Sequence, residues 1–250
     1  MTAEKATATE EPAAPTVDKS DTRVRKMFAG IAPQYDRMNH LLSCQVDRYW
    51  RWRTVRLLRP AAGEPILDLC TGTGDLALAF YRHTRGRTPI VAADFCREML
   101  AILRRKKEQA GLDGPLTFVE ADAQTLPFGD DSFQIVSVAF GLRNVADTRR
   151  ALREMARVCR PGGQVAVLEF SMPAWQPFRA IYGWYFRRVL PRIGRLLVRK
   201  GADAYDYLPA SVGEFPAGAE LAALMKDSGL SEVTYRPLTF GIATLYIGVK

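Results

Sequence analysis

Three acidic residues and two glycines in the first half of the chain carry the spacing best suited to chemistry. The run Asp68-Leu69-Cys70-Thr71-Gly72-Thr73-Gly74-Asp75 closes a short apolar stretch and opens a helical one. A strand that turns sharply into a helix leaves backbone N–H groups unpaired at the positive end of the helix dipole. Glycines there let a ligand approach the main chain closely. Gly72 and Gly74 are read as such a cradle, although the same pattern alone also describes a tight βα turn. Asp68, four residues before Gly72, is placed to meet an ammonium group; a pyrophosphate would be repelled by it. Asp94 lies twenty residues beyond Gly74 and suits both hydroxyls of a ribose, with a helix N-cap as the plainer alternative. Asp122-Ala123 completes the set. Its carboxylate can accept from an exocyclic amine and the following N–H can serve a ring nitrogen, whereas a loop turn is the other reading of Asp122.

These residues need strand ends to hold them. ILDLC (66–70), PIVAAD (89–94), LTFVEA (116–121), FQIVSVAF (133–140) and QVAVLEF (164–170) read as strands. Helical patterns run from Leu76 to about His83, from the end of the second strand to Gln109, and over 147–159, the last followed by RPGG. Such alternation predicts βαβ crossovers and a mostly parallel, doubly wound α/β sheet. A helix over 217–229 and strands over 231–238 and 242–249 bring the count to about seven strands. The acids then fall at the carboxyl ends of adjacent strands, where open α/β sheets bind ligands.

A chain of 250 residues accommodates one α/β domain with appendages. Residues 1–20, rich in Ala, Thr and Glu, are expected to form a disordered tail, and 21–250 a single domain with helices leading into it. No stretch approaches the roughly 18–20 apolar residues of a transmembrane helix. A cytoplasmic protein, peripheral at most at the inner face of the cell membrane, is expected. The tail's Glu4, Glu10 and Glu11 argue against a secretory or transit signal. Cys44, Cys70, Cys96 and Cys159 form no CxxC pair, and with two histidines no metal-binding spacing is evident.

The three acids, LPFGDDSFQIV (126–136) and RPGG (160–163) together resemble the class I S-adenosylmethionine-dependent methyltransferase pattern, a Rossmann-like fold. FAGIAPQYDRMNHLLS (28–43), Trp50, FGLRNV (140–145), RVCRPGGQVAVLEFS (157–171), VLPRIG (189–194) and the final GIATLYIGVK narrow this further. From about residue 24 onward the chain resembles the menaquinone and ubiquinone biosynthesis C-methyltransferase family. It departs from that pattern at Asp47, where a histidine is usual, at CTGTGD in place of AGGTGD, at Ala139 and at Arg160. The resemblance implies cofactor contacts at Thr73, Asp94, Asp122 and Ala123. It also implies methyl transfer from S-adenosylmethionine to a ring carbon of a prenylated quinol, demethylmenaquinol before the benzoquinol of ubiquinone synthesis. A methyltransferase acting on a phenol oxygen, a sterol or a lipid is the runner-up, and a catalytically idle scaffold is a third reading.

Carbon methylation of a hydroquinone requires the ring to be held and its hydroxyl proton to be accepted or its oxygen stabilised. The candidates are Tyr35, Asp36, Asn39, Asp47 and Arg143, with His40 as a rival base. Arg143, after the fourth strand, is suited to a developing phenolate or to pairing with a neighbour such as Asp147. Asp47 reads as a base or a solvated helix residue, and Tyr35 and Asn39 as quinol contacts or helix packing. No metal is implied.

The net charge of +8 is uneven, since no acid occurs between Ser171 and Ala202. There Arg179, Arg187, Arg188, Arg192, Arg195, Arg199 and Lys200 alternate with Trp175, Phe178, Tyr182, Trp184, Tyr185 and Phe186. Residues 175–208 read as a lid and an interfacial segment, kinked at Pro191, with transient contact to a membrane surface. The same composition suits nucleic acid, which ranks below a membrane as partner. A homodimer is left open.

Overall fold

The computed structural model describes residues 17–192 and 203–250. Its sheet is built from β1 (Ile66–Leu69), β2 (Ile90–Asp94), β3 (Leu116–Glu120), β4 (Phe133–Ala139), β5 (Cys159–Phe170), β6 (Ser231–Leu238) and β7 (Ala243–Val249). The order is β3-β2-β1-β4-β5-β7-β6. Strands β1 to β5 are mutually parallel, and β7 runs antiparallel to both neighbours. The winding direction reverses between β1 and β4, which opens a crevice beyond their carboxyl ends.

The sequence explains the layers. β1 and β4 are apolar almost throughout because helices cover both faces of the sheet. Alternate residues serve different cores. Leu67, Leu69, Val136 and Val138 pack with Leu152, Met155, Leu221 and Met225, while Ile66 and Ile135 pack with Trp50, Phe80 and Leu103. The first of those cores is closed by α6 (Thr148–Val158) and α9 (Ala219–Asp227), and the second by α3 (Val46–Leu58), α4 (Asp75–Thr84) and α5 (Arg97–Gln109). The edge strand β6 is mostly exposed and tolerates Pro237.

Ahead of the sheet, α1 (Asp21–Ile31) and α2 (Tyr35–Leu42) lie across its carboxyl edge, with α7 (Gln176–Trp184) and α8 (Asp203–Glu214) beside them. Ile31, Met38, Phe186, Leu190, Ala204 and Val212 form a small core that joins these four pieces. Helix α7 runs into a π-turn at Tyr185–Val189 and helical geometry resumes through Pro191, so the expected kink takes the form of a wider turn. The expected basic residues Arg195, Arg199 and Lys200 lie outside the described residues, as do residues 1–16 of the expected tail. Residues 17–20, counted with that tail, lie against α8: the Val17 N–H donates to the Glu214 carboxylate at 3.0 Å.

RPGG, which the sequence places ahead of the fifth strand, belongs to β5. Gly162 adopts a φ of +72°, and Gly162 N–H and Gly163 C=O pair with Lys250 at 2.9 and 3.1 Å. Lys250 thus extends the ladder beyond the Gln164–Val249 pair. Arg157 clamps the 126–130 loop, pairing with Glu154 and Asp130 at 2.7 Å each. Its place in the motif is accounted for by that clamp.

Candidate active site

At the end of β1 the chain coils through left-handed backbone at Cys70, Gly72 and Gly74. Asp68 supports this loop from beneath. Its carboxylate accepts from Thr71 Oγ1 at 2.6 Å and Ser137 Oγ at 2.8 Å, and burial lifts its pKa to about 6 against those hydrogen bonds. It does not line the adjoining cavity, so the expected contact with an ammonium group is corrected to a supporting role. Gly74 has a different reason to be glycine: a Cβ there would stand 2.1 Å from Leu103 Cδ1 at a φ of +83°. Thr73 is buried and donates to the Asp36 carboxylate, away from the cavity. Asp36 in turn holds Lys106 Nζ at 2.5 Å, which ties α2 to the loop and to α5.

Gly72 and Asp94 do face the cavity. Asp94 accepts from the Gly72 N–H and the Cys96 N–H at 2.8 Å each. It therefore caps the turn into α5 and still presents lone pairs outward. Burial, opposed by those backbone bonds, pushes its pKa up to about 6. Asp122 and Ala123 line the opposite wall. The Asp122 carboxylate accepts from the Gln124 backbone and side chain at 2.9–3.1 Å, so it also forms the turn of its plainer reading. Phe28, Tyr35, Phe95 and Met99 supply apolar walls. Asn144 Oδ1 is buried there without a partner among the described residues. An orphaned acceptor, an acid suited to a diol and a backbone edge beside apolar walls fit S-adenosylmethionine, whose ammonium, ribose and adenine ask for those groups.

A second cavity adjoins the first, and Tyr35, Phe28 and Phe140 line both. Arg143, only 5% exposed, sits in a 3₁₀ turn (Leu142–Asn144) beyond β4. Its Nη1 donates to Glu169 Oε1 at 2.7 Å and to the Phe140 carbonyl, and its guanidinium lies 5.3 Å from the Phe170 ring centre. The alternative pairing with Asp147 is absent, because Asp147 caps α6 by accepting from the Arg150 N–H at 2.9 Å. Tyr35, Asn39, Ser43, Asp47 and Tyr207 share this second cavity. Burial raises the Tyr35 pKa although the Arg143 charge opposes it, so the phenol keeps its proton.

Asp47 is buried, not solvated. It accepts from Ser43 Oγ at 2.6 Å, His40 Nδ1 at 2.8 Å and Arg51 Nη1 at 2.5 Å. Burial alone would raise its pKa, but Ser43, Arg51 and His40 together hold it below the usual value. A carboxylate so satisfied is a poor proton acceptor, which corrects the reading of Asp47 as base. His40 opens onto a separate cavity with Arg37, Arg48 and Arg82. His40, Asp47 and Asp75 bring ligand atoms within 4.8 Å of one another, yet Arg51 and Lys106 already pair with those acids.

The second cavity shares Asn39, Ser43, Phe170 and Leu208 with a third, of about 300 Å³, walled by Trp50, Tyr182, Tyr185, Phe186 and Leu190. Asn144, Glu169 and Tyr207 are the site residues that sequence reasoning passed over. The first two stand inside motifs it used, FGLRNV and LEFS. Tyr207 has no pattern around it that singles it out.

The sequence model of the ubiE/COQ5 methyltransferase family matches residues 16–250. The "Ubiquinone/menaquinone biosynthesis C-methyltransferase UbiE" of Geobacter sulfurreducens is 47% identical, covering 91% of this chain and 88% of its own. The "Demethylmenaquinone methyltransferase" of Thermus thermophilus is 49% identical over 89% of this chain and 99% of its own. Among solved structures, a Thermotoga maritima S-adenosylmethionine-dependent methyltransferase superposes with a TM-score of 0.62 at 18% identity, covering 90% of this chain and 98% of that one. A Haemonchus contortus phosphoethanolamine N-methyltransferase holding S-adenosyl-L-methionine gives 0.58 at 14%, over 80% and 52%. These two likenesses show the fold.

Proposed function

The chain belongs to the ubiE/COQ5 methyltransferase family, and from that premise we propose that it methylates a ring carbon of a prenylated quinol, demethylmenaquinol first. The observation that carries this reading is the adjacency of three cavities that share wall residues. Tyr35 and Phe140 wall both the cofactor cavity and a second one, and Asn39, Ser43 and Phe170 wall both that one and an apolar cavity suited to a prenyl chain. A benzoquinol is the second acceptor, since some relatives carry ubiquinone in their names.

When bound, S-adenosylmethionine supplies a sulfonium methyl group as the electrophile. Asp94 accepts the ribose hydroxyls, Gly72 offers close main-chain approach, Asp122 and the Ala123 N–H address the adenine, and Asn144 Oδ1 accepts from the ammonium. Asp68, Thr73 and Gly74 are positioning residues that shape the loop from behind. On the quinol side Arg143 stabilises negative charge on a ring oxygen as its proton passes to solvent water. Glu169 fixes the guanidinium, and Tyr35 and Asn39 contact the ring. Asp47 stays charged and anchors α2 to α3.

Trp175, Ile181, Trp184 and Phe240 are 61–78% exposed, and Arg179, Arg187 and Arg188 are exposed on the same segment. This supports transient contact with an anionic lipid surface beside the apolar cavity. No helix among the described residues is long and apolar enough to cross a membrane. The test is turnover of a short-chain demethylmenaquinone kept reduced, with the benzoquinol in parallel. Methylation of neither, by protein that binds the cofactor, would move the search to other apolar phenols and lipids.

A further inference from the structure

The second cavity is lined by two side chains with polar atoms that the described residues leave unsatisfied. Among the described residues, the Tyr207 hydroxyl, on α8, and Arg143 Nε, beyond β4, are buried without a hydrogen-bond partner, and both side chains line that cavity. Tyr207 is 7% exposed. Buried polar groups are paired with few exceptions, and an orphan destabilises the fold that carries it. A phenylalanine would fill the same space without that penalty. Tyrosine at this position is accounted for if a ligand completes its hydroxyl.

The chemistry of the two orphans agrees. An arginine Nε only donates. Tyr207 can donate as well, because burial raises its pKa against the nearby positive charge of Arg143 and the phenol stays protonated. Two donors in one cavity are suited to an oxygen that gains negative charge. Asp47 does not compete for the Tyr207 proton, being satisfied by Ser43, His40 and Arg51.

We propose that Tyr207 is a further catalytic residue: its hydroxyl donates to a ring oxygen of the quinol and, with Arg143 Nε, holds that oxygen as its proton passes to solvent water; the S–CH3 bond breaks as the ring C–CH3 bond forms, and the proton then lost from that ring carbon restores the hydroxyl. Tyr207 keeps its own proton throughout. Helix α8 therefore contributes a contact at the reacting centre. This rests on the quinol reading, and the test separates the two.

Tyr207→Phe is compared with wild type by cofactor calorimetry, thermal melting, and turnover of a short-chain demethylmenaquinol. Binding of the unprenylated naphthalenediol and of its two monohydroxy analogues is measured alongside. The expected result is a kcat/KM lower on the order of 10–100-fold, with cofactor affinity kept and the melting temperature of the free protein unchanged or raised. Wild type should prefer the diol over the analogue lacking the contacted oxygen, and the variant should lose that preference. A kcat/KM within twofold of wild type overturns the proposal. So does a lowered melting temperature, or equal weakening towards all three ligands, either of which marks a structural hydroxyl. Wild type that binds cofactor but methylates no quinol overturns the substrate reading, and this proposal with it.

Discussion

The Gly72 N–H donates to Asp94 Oδ2 across 2.8 Å, joining residues 22 positions apart at the ends of β1 and β2. The glycine loop and the acid are therefore one unit, and the acid's other oxygen is steadied by Cys96. A ribose would meet a carboxylate whose position is already fixed, so little ordering is needed on binding.

Replacing Asp94 by Ala removes the charge that accepts the diol. Cofactor affinity should fall by about 1.5–3 kcal/mol or more, roughly 10–150-fold. Calorimetry with S-adenosylhomocysteine reads this, and an unchanged affinity would place the ribose elsewhere.

The pH dependence follows from the same residue. Asp94 titrates at about 6 in the folded protein, above the ~3.9 of an unfolded aspartate. The folded state thus binds the additional proton, and this site's contribution to stability is complete below the unfolded value and lost as pH rises through 6. Asp68, also raised to about 6, has the same sign. Cofactor binding runs the other way, because it needs the charged form. Affinity should be nearly constant from pH 8 to 7 and weaken as pH falls through 6, most steeply below it. Asp94→Asn should flatten the slope, and calorimetry at four pH values between 8 and 5 checks it.

Gly74→Ala should destabilise the protein by about 2–4 kcal/mol, combining the clash with Leu103 and a positive φ. Pairing it with Leu103→Ala relieves the clash but not the φ, and it opens a hole that costs about 2–5 kcal/mol by itself. The double variant should therefore melt above the sum of the two single effects, which denaturant titration can resolve.

Much of this was legible beforehand for physical reasons. Strands buried on both faces must be nearly continuous apolar runs, so β1, β2 and β4 announce themselves, and the acids at their ends can be aligned by counting. Depth is what counting misses. Asp68 and Asp94 look alike in sequence, yet Thr71 and Ser137 bury one beneath the loop while the other faces the cavity. Asp47 reads as solvated on a basic helix until the fold places Ser43, His40 and Arg51 around it. Tyr207 comes to the site from 64 residues beyond Arg143, a juxtaposition that no local pattern encodes.

Glu169→Gln should lower turnover more than it lowers cofactor affinity. The Arg143–Glu169 pair is buried at 2.7 Å, and removing one charge leaves the other uncompensated. A loss of about 3–5 kcal/mol in stability is expected for Glu169→Ala and less for Gln, which keeps an acceptor. Melting curves and kcat together check this.

Binding to vesicles containing anionic lipid should exceed binding to neutral vesicles and fall with added salt. A Trp184→Ser, Ile181→Ser variant should bind neither well while keeping its activity on a short-chain quinol in detergent. Vesicle flotation reads this, and equal flotation of variant and wild type would remove α7 from the contact.

The most direct test of the central claim uses S-adenosylmethionine carrying a trideuterated methyl group, with short-chain demethylmenaquinol under reductant. Deuterium NMR and mass spectrometry of the product then locate the label. A CD3 group on the ring carbon beside the prenyl chain, formed only under reductant and lost in Arg143→Ala with cofactor binding kept, is the predicted result. Label on oxygen, equal turnover of the oxidised quinone, or no label in any quinol would contradict the account.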